Sequence, residues 1–306
     1  MYVEEYGKDN KSVIVMLHGA NFVHCFGRQY SLAEKYHIVV PHIMGFGKEA
    51  GRVFDADICI RELAGYIRSI DSKVLLIGFS LGAQLAFKLI SEYPDLFYAA
   101  IIVSPWLNKE QPELSEVLRM NEKQFYSLKK KWLCNIIGMM NGLPSAQRKE
   151  FVRQMQEVKV ETIRNSVDNG ITFDGVRGFE NVDFPVIALA GAKEQQSVLN
   201  SVKEMAEKNN NCRYEIWEKA AHNIPPMFSK RFNILITETA RYIPVCRDQS
   251  SSLSPRRLLP SRVFRSLPWS RERAFGEVQR RFHLMRRDER GMLRKKFPIL
   301  PFCVFG

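Results

Sequence analysis

The segment Gly78-Phe79-Ser80-Leu81-Gly82 has the residue types and the spacing to present a nucleophile. It follows the apolar run Val74–Ile77 and precedes a stretch of helical periodicity, which is the strand–turn–helix context that the pattern GxSxG requires. The sharp turn holds such a serine in a strained conformation, and side chains two positions to either side would collide with the adjoining strand and helix. The segment therefore predicts that Ser80 is a nucleophile.

Short apolar, β-branched runs must position this turn, and each is followed by turn residues and then by a helical stretch. The runs are Val13–Leu17, Ile38–Pro41, Val74–Ile77, Ala99–Val103, Val186–Ala190 and Tyr214–Trp217, with an edge strand within Met1–Tyr6. Fully apolar runs are typical of strands that are buried on both faces. The alternation predicts a parallel sheet flanked by helices.

Two of the intervening stretches have a clear apolar stripe at helical spacing. The first contains Ile60, Leu63, Ala64 and Ile67, with Asp57 at the position expected for an N-cap. The second begins directly after Ser80 and ends at Tyr93-Pro94, because a proline disfavours helix in the residue before it. We expect both helices to cover the sheet.

In these features residues 11–243 resemble the α/β-hydrolase superfamily, which places a His-Gly pair after an early strand and a nucleophile turn after a central one. The pair His18-Gly19 ends the run Val13–Leu17 and is similar to the family's oxyanion loop. The resemblance implies that the backbone N–H of Ala20, or alternatively of Asn21, and that of Leu81 bind an oxyanion. His18 itself is expected to fix the turn.

The resemblance also implies a base and an acid late in the chain. His222 lies just behind the last predicted strand, where members of the superfamily carry the base that accepts the serine proton. Gly191-Ala192-Lys193-Glu194 looks like the family's Gly-x-x-Asp turn with glutamate in place of aspartate, so Glu194 is the expected acid. The alternative is that Glu194 only favours the start of a helix near Ser197.

Residues 107–180 interrupt the alternation with polar amphipathic stretches, predicted as helices over Gln124–Met140 and Gln147–Val167. We interpret them as an inserted helical lid whose methionine and aromatic side chains mostly pack on the body. The predicted organisation is a hydrolase core in two parts, residues 1–106 and 181–243, with the lid at 107–180 and a basic tail at 244–306.

The tail holds most of the chain's charge. Residues 244–306 contain 15 Lys and Arg against 5 Asp and Glu and so contribute +10 of the net charge of +12. The body is therefore nearly neutral, and no nucleic-acid partner is expected for it. One helix face of the tail could place Phe275, Val278, Phe282 and Met285 on an anionic membrane or nucleic acid. The favoured interpretation is a disordered or non-native extension.

The cysteines and the short motifs indicate the cellular compartment and whether a cofactor is expected. The six cysteines show no CxxC spacing, which favours free thiols in a reducing cytosol, and the first apolar run is too short for a signal-peptide core. HExxH is absent, and Gly45-Phe46-Gly47 lacks the dinucleotide-binding spacing. We expect neither a metal nor a cofactor.

The resemblance implies a serine hydrolase of the carboxylic ester class. It would cleave an ester-type bond in a small organic or acyl substrate through an acyl-enzyme on Ser80, with His222 as base. Acyl-thioesterases, C–C bond hydrolases and acyltransferases of the same fold remain alternatives, because the lid sets the substrate. A binding module without activity is a further alternative, although such proteins commonly lack the serine or the histidine.

Overall fold

The computed structural model describes residues 1–140 and 143–241. The predicted tail at 244–306, with its helix face and its possible partners, lies outside the described residues. Within the described part of the chain, no helix is long and apolar enough to cross a membrane.

Seven strands form one sheet in the order β1-β3-β2-β4-β5-β6-β7. They are β1 (Val3–Tyr6), β2 (Val13–Leu17), β3 (His37–Pro41), β4 (Val74–Phe79), β5 (Phe97–Val103), β6 (Val186–Gly191) and β7 (Cys212–Trp217). The edge strand β1 pairs antiparallel with β3, and all other neighbours pair parallel. Every residue of β2, β4, β5 and β6 is buried, which confirms the predicted mostly parallel sheet.

Helices cover this sheet. They are α1 (Ala56–Arg68), α2 (Leu81–Glu92), α7 (Gln196–Lys208), α8 (Ile224–Met227) and α9 (Ser229–Ala240). Apolar side chains of α9, including Phe232 and Ile236, pack in one cluster with alternate residues of the strands. The helix α2 packs on β4 and β5, and α1 packs on α2. The sheet and these helices therefore form the core that supports the turn at Ser80.

The predicted N-cap of α1 is wrong by two residues. Asp55 is the N-cap, and its carboxylate accepts a hydrogen bond of 2.8 Å from the Ile58 N–H. Asp57 lies in the first helical turn, where it forms an ion pair of 2.8 Å with Lys88 of α2. Two aspartates so close together both suit a helix start, so spacing alone does not separate them.

Four helices lie between β5 and β6: α3 (Glu113–Leu128), α4 (Lys131–Met140), α5 (Ser145–Glu157) and α6 (Val160–Val167). The two long helices predicted here are wrong, because each is broken near Lys129 or Val158. The Lys129 ammonium donates to the carbonyls of Met155, Gln156 and Val158 at 2.7–2.9 Å. A cation on these terminal carbonyls stabilises the end of α5.

Candidate active site

Ser80 lies in the tight turn between β4 and α2. Its φ of 56° is a left-handed conformation that a serine adopts only under strain, and its N–H donates to the Val103 carbonyl of β5 at 2.9 Å. A Cβ on Gly78 would lie 2.3 Å from the Gly82 carbonyl oxygen, and one on Gly82 would lie 2.1 Å from the Leu17 carbonyl oxygen. Both glycines are therefore required for strand and helix to approach each other.

His222 lies in the loop after β7 and faces Ser80. Its Nε2 lies 2.9 Å from the Ser80 Oγ, and its Nδ1 lies 2.8 Å from the Glu194 Oε2. Ser80 and His222 are only 1% and 5% exposed. The structure therefore brings together the serine, the histidine and the acid that the sequence singled out, from the ends of three different strands.

Glu194 follows β6, and both of its carboxylate oxygens are engaged. Oε2 faces His222, while Oε1 accepts from the Gly191 N–H at 2.8 Å and from the Ser104 hydroxyl at 2.6 Å. Burial on its own would raise the pKa of Glu194, but the charge and hydrogen bond of His222, with the bonds from Gly191 and Ser104, hold that pKa below its ordinary value. The side chain is therefore a carboxylate at neutral pH.

This geometry determines which nitrogen of His222 carries the proton when the imidazole is neutral. An ionised carboxylate only accepts hydrogen bonds, so the nitrogen that faces Glu194 carries the proton. The Nε2 lone pair then points at the Ser80 hydroxyl, which can donate to it. A serine whose proton faces a lone pair at 2.9 Å has the arrangement of an activated nucleophile.

Ser104 is a residue of the site that sequence reasoning missed. It follows β5 with a φ of 56°, and its N–H donates to the Leu189 carbonyl of β6 at 2.7 Å. Its hydroxyl fixes the Glu194 oxygen that does not face the imidazole. The available signal was its position at the carboxyl end of a parallel strand, where α/β sheets form their sites.

The predicted oxyanion donors lie beside the nucleophile. Ala20 and Leu81 are both buried, and neither backbone N–H donates a hydrogen bond within the described residues. The loop that carries Ala20 approaches the turn at Ser80 closely, because a Cβ on Gly19 would lie 3.2 Å from the Ser80 Cβ. The oxyanion loop thus lies against the nucleophile, and the binding of an oxyanion by these two N–H groups stays a prediction.

His18 supports this loop. It is fully buried, its Nε2 accepts from the Ile43 N–H at 2.9 Å, and its Nδ1 lies 2.8 Å from the Gly19 carbonyl oxygen. Burial lowers the pKa of His18 to about 3, so the ring is neutral. A neutral imidazole with both nitrogens engaged holds the turn in place.

One group in the described part of the chain has metal-binding residue types. Glu4, His24 and Glu150 place potential ligand atoms within 4.8 Å of one another. These side chains also contact each other, with the His24 Nε2 3.3 Å from Glu150 and its Nδ1 3.9 Å from Glu4. These contacts tie α5 to the body, and the expectation of no metal stays a prediction.

Comparisons with known proteins agree with the fold. A family model described as alpha/beta hydrolase fold matches residues 12–225. A search of curated proteins gave no match. Among solved structures, an esterase from Thermogutta terrifontis is similar, with a TM-score of 0.62 and 18% identity over 78% of this chain and 92% of that one. An esterase from Exiguobacterium antarcticum has a TM-score of 0.63 and 17% identity over 78% and 95%. An enol-lactonase from Burkholderia xenovorans has a TM-score of 0.64 and 13% identity over 78% and 96%.

Proposed function

The chain belongs to the alpha/beta hydrolase fold family, and on that premise we propose that it is a serine hydrolase that cleaves an ester-type bond of a small acyl substrate. Ser80 is the nucleophile and His222 is its base. The observation that carries the proposal is the 2.9 Å separation between the Ser80 hydroxyl oxygen and the His222 Nε2, in a strained turn that only small flanking residues permit.

The reaction runs in two halves. Ser80 attacks the carbonyl carbon while His222 takes its proton, and the Glu194 carboxylate stabilises the resulting imidazolium. The N–H groups of Ala20 and Leu81 bind the tetrahedral oxyanion. His222 then protonates the leaving group, whose bond to carbon breaks, which leaves the acyl group on Ser80. Water attacks this acyl-enzyme with His222 again as base, which releases the acid and restores the hydroxyl.

We propose that the helices α3–α6, which lie between β5 and β6 in the sequence, determine which substrates the protein accepts. They occupy most of residues 107–180, the segment interpreted as a lid. The lid packs on the body in part through the ring of Phe151, which stacks on Phe22 with centroids 4.8 Å apart. A lid that packs this way limits which acyl and leaving groups reach Ser80.

We also propose that the protein works in a reducing compartment such as the cytosol. Cys25, Cys59, Cys134 and Cys212 are all buried and free. Burial raises the pKa of each of these thiols to about 12, which makes them unreactive. If the protein is isolated from cells under acid quench, which stops thiol exchange, and is then denatured and alkylated, the reagent should modify all four of these cysteines.

A panel of p-nitrophenyl esters and acyl thioesters of increasing chain length tests the proposal. We expect turnover of esters, and we expect Ser80→Ala to lower kcat by about 10⁴-fold or more. Ser31→Ala, which removes an exposed hydroxyl elsewhere on the body, is the matched control and should keep wild-type rates. Turnover of thioesters alone would move the assignment to the thioesterase alternative, and no turnover of either series would reject it.

A further inference from the structure

A half-buried cation follows Ser104 of the candidate active site by five residues. Lys109 follows β5, and its ammonium donates a hydrogen bond to the Asn169 side-chain oxygen. Among the described residues, no carboxylate oxygen comes within 4.0 Å of its Nζ, although Asp168 lies near enough to attract it. A half-buried lysine without a paired anion is uncommon, because burial disfavours a charge that no partner compensates.

The hydrogen bonds around Asn169 determine the orientation of the Gln84 side-chain amide. Its oxygen accepts from the Lys109 ammonium and from the Ile171 N–H at 3.0 Å, and both of these groups can only donate. Its NH₂ must therefore donate, and it reaches the Gln84 side-chain oxygen at 2.8 Å. This leaves the Gln84 NH₂ as a donor, and it has no hydrogen-bond partner within the described residues.

Trp106 supplies another donor of the same kind. Its indole N–H is buried and has no partner among the described residues, and the side chain is only 2% exposed. The Lys109 Nζ lies 5.5 Å from the centre of the Trp106 ring. Gln84 is fully buried as well. The contacts of Asn169 and Lys109 therefore link an ammonium to two buried, unsatisfied donors, a combination that suits an acceptor with several lone pairs.

This donor cluster of Gln84, Trp106 and Lys109 is joined to the elements that carry the nucleophile and the acid. Ser80 is the N-cap of α2, and Gln84 lies in the first turn of that helix, where its N–H donates to the Ser80 carbonyl at 3.1 Å. Trp106 is two residues beyond Ser104, whose hydroxyl contacts the acid of the site. The cluster therefore adjoins both the turn that carries Ser80 and the strand end that carries Ser104.

We propose that Lys109, Gln84 and Trp106 bind a carboxylate of the substrate, so that the preferred substrate is an ester whose acyl or leaving group carries a free carboxylate. This inference rests on the proposed hydrolase function, because it assigns the cluster to the same substrate. One cation and two neutral donors match the charge of a carboxylate better than the two charges of a phosphate monoester. Burial lowers the pKa of Lys109 to about 7 against the attraction of Asp168, and a bound anion would raise that pKa again.

The test compares esters that differ only in the carboxylate. Monomethyl adipate and methyl hexanoate have acyl chains of the same length, and monomethyl glutarate and monomethyl pimelate are one carbon shorter and longer. Initial rates are followed by titration of the released acid. The wild-type kcat/KM should favour the carboxylated ester of the best length by about 10- to 100-fold, mainly through KM. Lys109→Gln should bring this ratio close to one, and Trp106→Phe should lower it less.

Lys123→Gln removes an exposed lysine of the lid helix α3 and should keep the wild-type ratio. Wild-type cleavage of both esters without preference, or a preference that survives Lys109→Gln, would overturn the inference and leave the hydrolase proposal intact. If neither ester is cleaved, calorimetric titration with adipate decides the matter. Adipate binding that Lys109→Gln abolishes would support the carboxylate site without the hydrolase proposal, and absence of binding would overturn the inference as well.

Discussion

Glu194→Gln is the substitution that separates the charge of the acid from its shape. In the wild type, the carboxylate oxygen Oε1 accepts from the Gly191 N–H and the Ser104 hydroxyl, while Oε2 accepts from His222. The amide oxygen of glutamine can keep the first two bonds. Its NH₂ then faces His222 and needs an acceptor there, so the imidazole proton moves to Nε2. That nitrogen can no longer accept the Ser80 proton.

The size of the effect follows from this exchange of tautomers. A wrong tautomer costs about 10⁴-fold in kcat in serine hydrolases of this design, or roughly 5.4 kcal/mol in activation free energy. The free energy of unfolding should change by only about 1–2 kcal/mol, because two of the three hydrogen bonds remain. A loss of activity without a comparable loss of stability is therefore the expected signature.

The assay measures kcat on the best p-nitrophenyl ester together with the thermal midpoint by circular dichroism. Glu194→Asp keeps an ionised acceptor one methylene further away and should recover most of the lost rate. Glu218→Gln neutralises an exposed carboxylate in the turn before His222 and should have no effect. If Glu194→Gln kept more than about a tenth of the wild-type kcat, the tautomer argument would be wrong.

Two further predictions concern stability. Gly82→Ala should lower the free energy of unfolding by more than about 4 kcal/mol, because the new Cβ would lie 2.1 Å from the Leu17 carbonyl oxygen. Gly65→Ala in α1 is the control: its Cβ meets nothing within 4 Å, so the variant should be more stable by about 0.5–1 kcal/mol. Urea titrations measure both changes. The pKa of Glu4 is lowered to about 2, mainly by the hydrogen bond to His42. Above pH 4.5 the ionised Glu4 should therefore contribute about 2–3 kcal/mol to the free energy of unfolding, and this contribution is lost as the pH falls towards 2. The stability gap between wild type and Glu4→Gln should therefore close between pH 4.5 and 2, and a gap independent of pH would contradict the assignment.

The parts of the fold that sequence reasoning predicts well are determined by local patterns. The buried strands are continuous apolar runs, so the sequence predicts Val13–Leu17 with the bounds that the structure has. The turn at Ser80 requires glycines at fixed positions, because a Cβ at Gly78 or Gly82 would lie only 2.1–2.3 Å from a backbone oxygen. Constraints of this kind are visible in a few neighbouring residues.

The features that were missed depend on contacts between distant parts of the chain. Ser104 contacts Glu194 across 90 positions, and Asn169 links Lys109 to Gln84. The break after α5 is stabilised by Lys129, which lies at the end of a different helix, α3. No periodicity in the sequence encodes such pairs, so the donor cluster and the lid boundaries become visible only when the elements are packed.

The most direct test of the central claim is the site at which a fluorophosphonate reacts. Peptide mass spectrometry of the wild-type protein should place the adduct on Ser80, and His222→Gln should slow labelling by about 10³-fold or more, because the hydroxyl loses its base. An adduct on another residue, or labelling that persists undiminished in Ser80→Ala, would contradict the account.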